Sequence, residues 1–127
     1  MTVTASLLTG KRVLIVEDEA LVAMLLEGLL EEYGCDVVWP CSTLQSALDV
    51  VRTQTFDLAV LDVNLRGLMV YPVAELLAER HVPFLFLSGY GEEAIPPGHG
   101  DWKVCAKPFR AKDLVAMMQA ELAAAVH

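Results

Sequence analysis

Short runs of apolar residues alternate along the chain with longer stretches in which apolar positions recur every three or four residues. Residues 12–16 read as a strand. A helix follows over about 19–33, and Gly34 stands where a helix end favours a left-handed residue. Residues 36–39 predict a second, weaker strand. Ser42 or Thr43 can cap the next helix, which runs to about Thr53 with Leu44, Ala47, Leu48 and Val51 on one face. Residues 58–61 and 84–87 are wholly apolar and predict strands buried on both faces. Between them a helix covers about 71–80, with Pro72 tolerated in its first turn. Residues 102–106 predict the last strand, and Leu114, Val115, Met118 and Leu122 mark a final amphipathic helix.

Five strands alternating with helices imply an α/β domain, a doubly wound parallel sheet with helices on both faces. One stretch breaks the alternation. Gly89, Gly91, Pro96, Pro97, Gly98 and Gly100 crowd the segment between Ser88 and Lys107, too many breakers for a full helix. At most residues 92–95 make one turn, so the fourth helix is short or missing. A connection of this length without regular structure is usually functional or mobile. Residues 89–101 are accordingly the expected mobile surface of the domain.

Composition narrows the classes. A chain of 127 residues with 55% apolar content suits one packed core, read as a tail over 1–10 and one domain over 11–127 without linker or second domain. The formal charge of −8, from 17 acidic against 9 basic residues, argues against a nucleic-acid surface. Cys35, Cys41 and Cys105 form no metal-ligand spacing and read as reduced, buried thiols of a cytoplasmic protein. His81, His99 and His127 lack a zinc pattern. The first nine residues lack the features of a signal peptide, and the most apolar run, 20–30, is too short to cross a bilayer and carries Glu27. No membrane contact is expected.

In a parallel sheet the strand ends converge on one rim, where such folds place their sites. The first strand ends in Glu17-Asp18-Glu19, the third in Asp62, the fourth in Ser88 and the fifth in Lys107-Pro108-Phe109. Two carboxylates at ~5 Å and an effective dielectric of ~20 repel by about 3 kcal/mol. A hard divalent cation such as Mg²⁺ relieves that repulsion. A carboxylate attacks phosphorus to give an aspartyl phosphate, and lysine and serine then supply charge and a hydrogen bond to the phosphoryl oxygens. Each residue alone has a plainer reading: helix-dipole complement for the acidic triplet, turn residues for Asp62 and Ser88, a helix approach for Lys107-Pro108. Their joint placement at four strand ends points to phosphoryl transfer.

Taken in order, Val13-Leu14-Ile15-Val16-Glu17-Asp18-Glu19, Leu61-Asp62-Val63-Asn64-Leu65, Ser88-Gly89 and Lys107-Pro108-Phe109 resemble the receiver domain of two-component response regulators, from Lys11 to about Val126. The resemblance implies a flavodoxin-like sheet of order 2-1-3-4-5 and a stand-alone receiver phosphorylated by a histidine kinase. It makes Asp62 the phosphoacceptor, Ser88 the switch hydroxyl and Lys107 the phosphoryl contact. Asp18 and Asp62 become Mg²⁺ ligands, Glu17 a neighbour reaching the ion through water, and Asn64 a ligand through its backbone carbonyl. It also implies a cis peptide between Lys107 and Pro108. Signalling would pass to a protein target or onward through a phosphorelay.

Three positions depart from the family pattern. Val104 stands where a switch aromatic is usual, Arg66 where many receivers have proline, and the fourth helix is lost. Phe86-Leu87-Ser88-Gly89-Tyr90-Gly91 is similar to the FAT-GUY class of single-domain receivers, with Leu87-Ser88 in place of Ala-Thr. That likeness implies an alphaproteobacterial source and an HWE-type kinase. The helix over 19–33 is more apolar than a surface helix needs, which predicts a docking face for a kinase helix. Two other classes compete. A Mg²⁺-dependent phosphatase of the haloacid dehalogenase kind wants a second acid where Asn64 stands. A flavin-binding domain wants a phosphate loop where Glu17-Asp18-Glu19 would repel one.

Overall fold

The computed structural model describes residues 8–125; most of the expected tail, and His127, lie outside the described residues. Five parallel strands form the sheet: β1 (Arg12–Val16), β2 (Asp36–Cys41), β3 (Leu58–Asp62), β6 (Phe84–Ser88) and β7 (Val104–Ala106). Their order is β2-β1-β3-β6-β7, the expected 2-1-3-4-5 arrangement once the chain's two remaining strands are set aside. Those two, β4 (Asn64–Leu65) and β5 (Leu68–Met69), pair antiparallel in a separate small hairpin that the apolar pattern did not announce.

The period of two along each strand divides the core. Leu14, Val16, Ala59, Leu61, Phe84 and Phe86 face one layer, which holds α2 (Leu44–Thr53) and α3 (Tyr71–Glu79). Val13, Ile15, Leu58, Val60, Leu85 and Leu87 face the other, formed by α1 (Ala20–Glu32) and α4 (Ala111–Ala125). Leu8, from the stretch read as a tail, is fully buried in this second layer. The Gly10 N–H donates to the Gly34 carbonyl at 2.8 Å, which ties that stretch to the end of α1.

Helix ends follow local chemistry. Thr43 caps α2 through the Ser46 N–H at 3.1 Å, and Ser46 completes a reciprocal box. Gly34 takes φ 84 just past α1, as a left-handed C′ residue does. Two boundaries differ from expectation. β2 runs on through Pro40 to Cys41, since an edge strand tolerates a missing N–H, with an irregular register against β1. β7 begins at Val104, and Trp102 turns into the core instead.

The breaker-rich segment carries a single 3₁₀ turn, Gly91–Ala94, and no α-helix. Aromatic packing fastens it. Phe86 meets Tyr71 at 5.9 Å and Trp102 at 5.6 Å between ring centres. Trp102 also meets Phe84 at 5.3 Å and stacks flat on His99 at 3.8 Å. The Tyr71 hydroxyl donates to the Ala94 carbonyl. Val104 is half-buried beside Phe86 across the sheet, so aromatic bulk here comes from its neighbours, while Tyr90 is 79% exposed. Among the described residues no helix is long and apolar enough to cross a membrane.

Candidate functional site

The sheet's carboxyl rim brings the expected residues together. Glu17 follows β1, Asp62 ends β3, Ser88 ends β6 and Lys107 follows β7. Lys107 Nζ lies 3.3 Å from an Asp62 oxygen and 3.3 Å from Glu17 Oε1. Glu17, Asp18 and Asp62 each offer a carboxylate oxygen, all within 4.8 Å of one another. The peptide between Lys107 and Pro108 is cis, as the resemblance implies.

Backbone donors orient several of these groups. Glu17 Oε2 accepts the Glu19 N–H at 3.1 Å, and Asp18 Oδ2 accepts the Arg66 N–H at 3.1 Å. Ser88 Oγ accepts the Tyr90 N–H at 3.0 Å, which leaves its own proton to donate elsewhere. Asn64 is exposed, and its side-chain oxygen accepts the Gly67 N–H at 2.7 Å. The Arg66 contact was not foreseen. Its signal was weak: an arginine followed by glycine just beyond Asn64, a turn pair without the usual Asn or Asp at its first place.

Burial sets the electrostatics. Glu17 is 2% exposed, and burial pushes its carboxyl up to about 7, with the Asp62 charge adding to the rise and the Glu19 N–H and Lys107 opposing it. Burial likewise raises Asp62, against the pull of Lys107. For Lys107 burial works against the charge, but Asp62 and Glu17 outweigh it and hold the ammonium above its ordinary range. One lysine therefore pairs with two of three clustered acids, a donor set rich in hard oxygens and short of positive charge. The residues present fit a Mg²⁺-sized cation.

The Glu17 shift gives a pH test. Because the folded-state value near 7 lies above the ordinary 4.5, the folded domain binds more protons in that window. Stability conferred by the protonated carboxyl is complete below pH 4.5 and is lost as pH rises through about 7. In metal-free protein, the stability of Glu17→Gln relative to wild type is expected to grow across that window and level off above it. Urea denaturation at stepped pH measures this, and a difference independent of pH contradicts it.

The sequence profile of the response regulator receiver domain matches residues 13–119. The chain belongs to this family. Its structure is similar to that of SdrG from Sphingomonas melonis Fr1, with 42% identity and a TM-score of 0.77 over 90% of this chain and 97% of that one. A beryllofluoride-activated conformation of SdrG aligns with a TM-score of 0.70 at 41% identity, over 87% of this chain and 98% of that one. The REC domain of the PhyR response regulator from Erythrobacter litoralis aligns at 26% identity and a TM-score of 0.76, over 93% and 91% of the two chains. Among curated relatives, the transcriptional regulatory protein PdtaR of Mycobacterium tuberculosis is 29% identical over 93% of this chain, which spans 60% of the length of PdtaR. The doubly wound fold of this receiver domain thus has close counterparts among response regulators.

Proposed function

We propose that this receiver domain takes a phosphoryl group from a histidine kinase onto Asp62. In this reading Asp18, Asp62 and the Asn64 backbone carbonyl hold Mg²⁺, with Glu17 beside it. The observation that carries it is the Lys107 ammonium, set 3.3 Å from both Asp62 and Glu17 at the rim where Ser88 also ends its strand. An Asp62 oxygen attacks phosphorus as the P–N bond to the kinase imidazole breaks, and the imidazole leaves with the electron pair. Lys107 is placed to neutralise the new phosphoryl oxygens, and the Ser88 hydroxyl has its proton free to donate. When bound, Mg²⁺ supplies further compensation of phosphoryl charge.

The domain acts as a stoichiometric acceptor and not as a turnover enzyme. Supporting this, the residue two beyond Asp62 is Asn64, tied to the Gly67 N–H, where the phosphatase alternative needs a free acid. A cytoplasmic setting is in keeping with three buried cysteines outside any disulfide, and signalling runs through protein contact or a phosphorelay, without nucleic acid or membrane. The Phe86-to-Gly91 motif favours an HWE-type kinase. The test is incubation with phosphorylated kinases. One phosphoryl group per chain, dependent on Mg²⁺, is expected; sustained turnover of small phosphate esters would favour the phosphatase.

Helix α1 is the proposed kinase-docking face. Ala23, Leu26 and Leu30 are buried, yet Leu21, Met24 and Leu25 are 76%, 65% and 70% exposed. Leu25 also lines a largely apolar groove of about 670 Å³ with Val22, Leu29, Pro108 and Phe109. Leu25→Asp is expected to slow phosphotransfer by roughly tenfold or more. The same change should move stability by only about 0.5 kcal/mol, since it alters a surface side chain. Unchanged transfer kinetics would remove the docking role.

A further inference from the structure

The turn at Arg66 and Gly67 does more than join β4 to β5. Both residues have positive φ, 54 and 89, the mirror-image turn whose twist suits a two-residue hairpin loop. Gly67 adopts that backbone freely, whereas an arginine there brings its Cβ against the following carbonyl. The hairpin retains the arginine all the same: Asn64 Oδ1 holds the Gly67 N–H at 2.7 Å, and Leu65 pairs with Leu68. Locked this way, the Arg66 N–H points out of the hairpin and meets Asp18 Oδ2 at 3.1 Å, 48 positions away in the chain. The Arg66 side chain is exposed and makes no polar contact with described residues, so the main chain carries the interaction.

We propose that this turn is a positioning device for Asp18: the Arg66 N–H restrains the carboxylate so that it stays with Glu17 and Asp62 ready for a divalent cation. The proposal rests on the reading of that acidic cluster as the cation site. A donor behind a ligand carboxylate removes the cost of ordering it when the ion arrives, and loss of such partners typically weakens metal binding by roughly 10–100-fold. Proline at this position has no N–H and fixes φ near −65°, so it would leave Asp18 without this restraint.

The test uses Mg²⁺ alone, titrated calorimetrically into Arg66→Pro, Arg66→Asn and Arg66→Gly. Arg66→Pro is expected to bind roughly tenfold more weakly or worse. Arg66→Asn and Arg66→Gly keep the N–H and tolerate positive φ, so both are expected within about twofold of wild type. A second readout needs no metal. In Asp18→Ala the residue-66 amide is expected to exchange its hydrogen faster, while the Gly67 amide, held by Asn64, stays protected. This arm decides the matter if Arg66→Pro does not fold. Three results would overturn the proposal: undiminished Mg²⁺ binding by folded Arg66→Pro, equal weakening in Arg66→Asn, or unaltered exchange at residue 66. Wild-type protein that takes up no Mg²⁺ would instead strike the reading of the site itself.

Discussion

Asp62→Asn is expected to abolish phosphoryl transfer from a phosphorylated kinase. The substitution preserves the shape of a residue that is only 8% exposed, and it removes the anionic oxygen proposed to attack phosphorus. A neutral amide has no comparable nucleophile, so labelling should fall by at least about 10³-fold, equivalent to some 4 kcal/mol of barrier. The fold should survive. Lys107 keeps Glu17 at 3.3 Å, and burial already disfavours the charge on Asp62. Radiolabelled transfer, paired with a denaturation curve, separates loss of chemistry from loss of structure. Label retained on a well-folded Asp62→Asn protein would move the acceptor elsewhere.

Much of this site was legible because the fold puts chemistry at positions a sequence marks plainly. β3 and β6 are buried along their whole length, so their apolar runs stand out, and Asp62 and Ser88 are the polar residues on which those strands end. Glu17 and Lys107 follow from the same rule, applied to β1 and to the turn after β7. What escaped has local causes. Strands of two residues are too short to show alternation, so the Asn64–Met69 hairpin left no apolar period. Its turn depends on left-handed backbone at Arg66, a residue type that gives no warning of it. Leu8 reads as part of a tail because a single buried side chain has no period at all.

The missing fourth helix shows the opposite case, a negative signal that proved dependable while its replacement did not. Glycines and prolines exclude a helix without saying what anchors the segment instead. The anchor is aromatic and scattered in sequence: Tyr71 from α3, Phe84 and Phe86 from β6, and Trp102. Only assembly of the sheet brings them together. The consequence bears on signalling, because Ser88 and the segment after it share this strand and this packing.

Phe86→Ala should therefore be among the most damaging changes away from the acidic rim. Phe86 is fully buried and meets three other aromatic rings, at 5.9, 5.6 and 5.6 Å. Truncating a buried phenylalanine costs roughly 3–5 kcal/mol, the transfer energy of the ring plus the cavity it leaves. Small domains hold only about 5–15 kcal/mol in total, so much of the reserve would go. The loss should not be evenly spread. Tyr71 and Trp102 lean on Phe86, and both bear on the 3₁₀ segment, Tyr71 through the Ala94 carbonyl and Trp102 through His99. Amides in residues 91–102 are thus expected to lose exchange protection more than those of β1 or β3, whose alternate residues Val13, Ile15, Leu58 and Val60 keep their packing in the layer of α1 and α4 on the other side of the sheet. Phe86→Leu keeps most of the volume and should recover the greater part of the stability but less of the local protection, since a leucine cannot reproduce edge-to-face ring contacts. Uniform loss of protection across the sheet in Phe86→Ala would mean that the ring supports the domain as a whole and does not anchor this segment in particular.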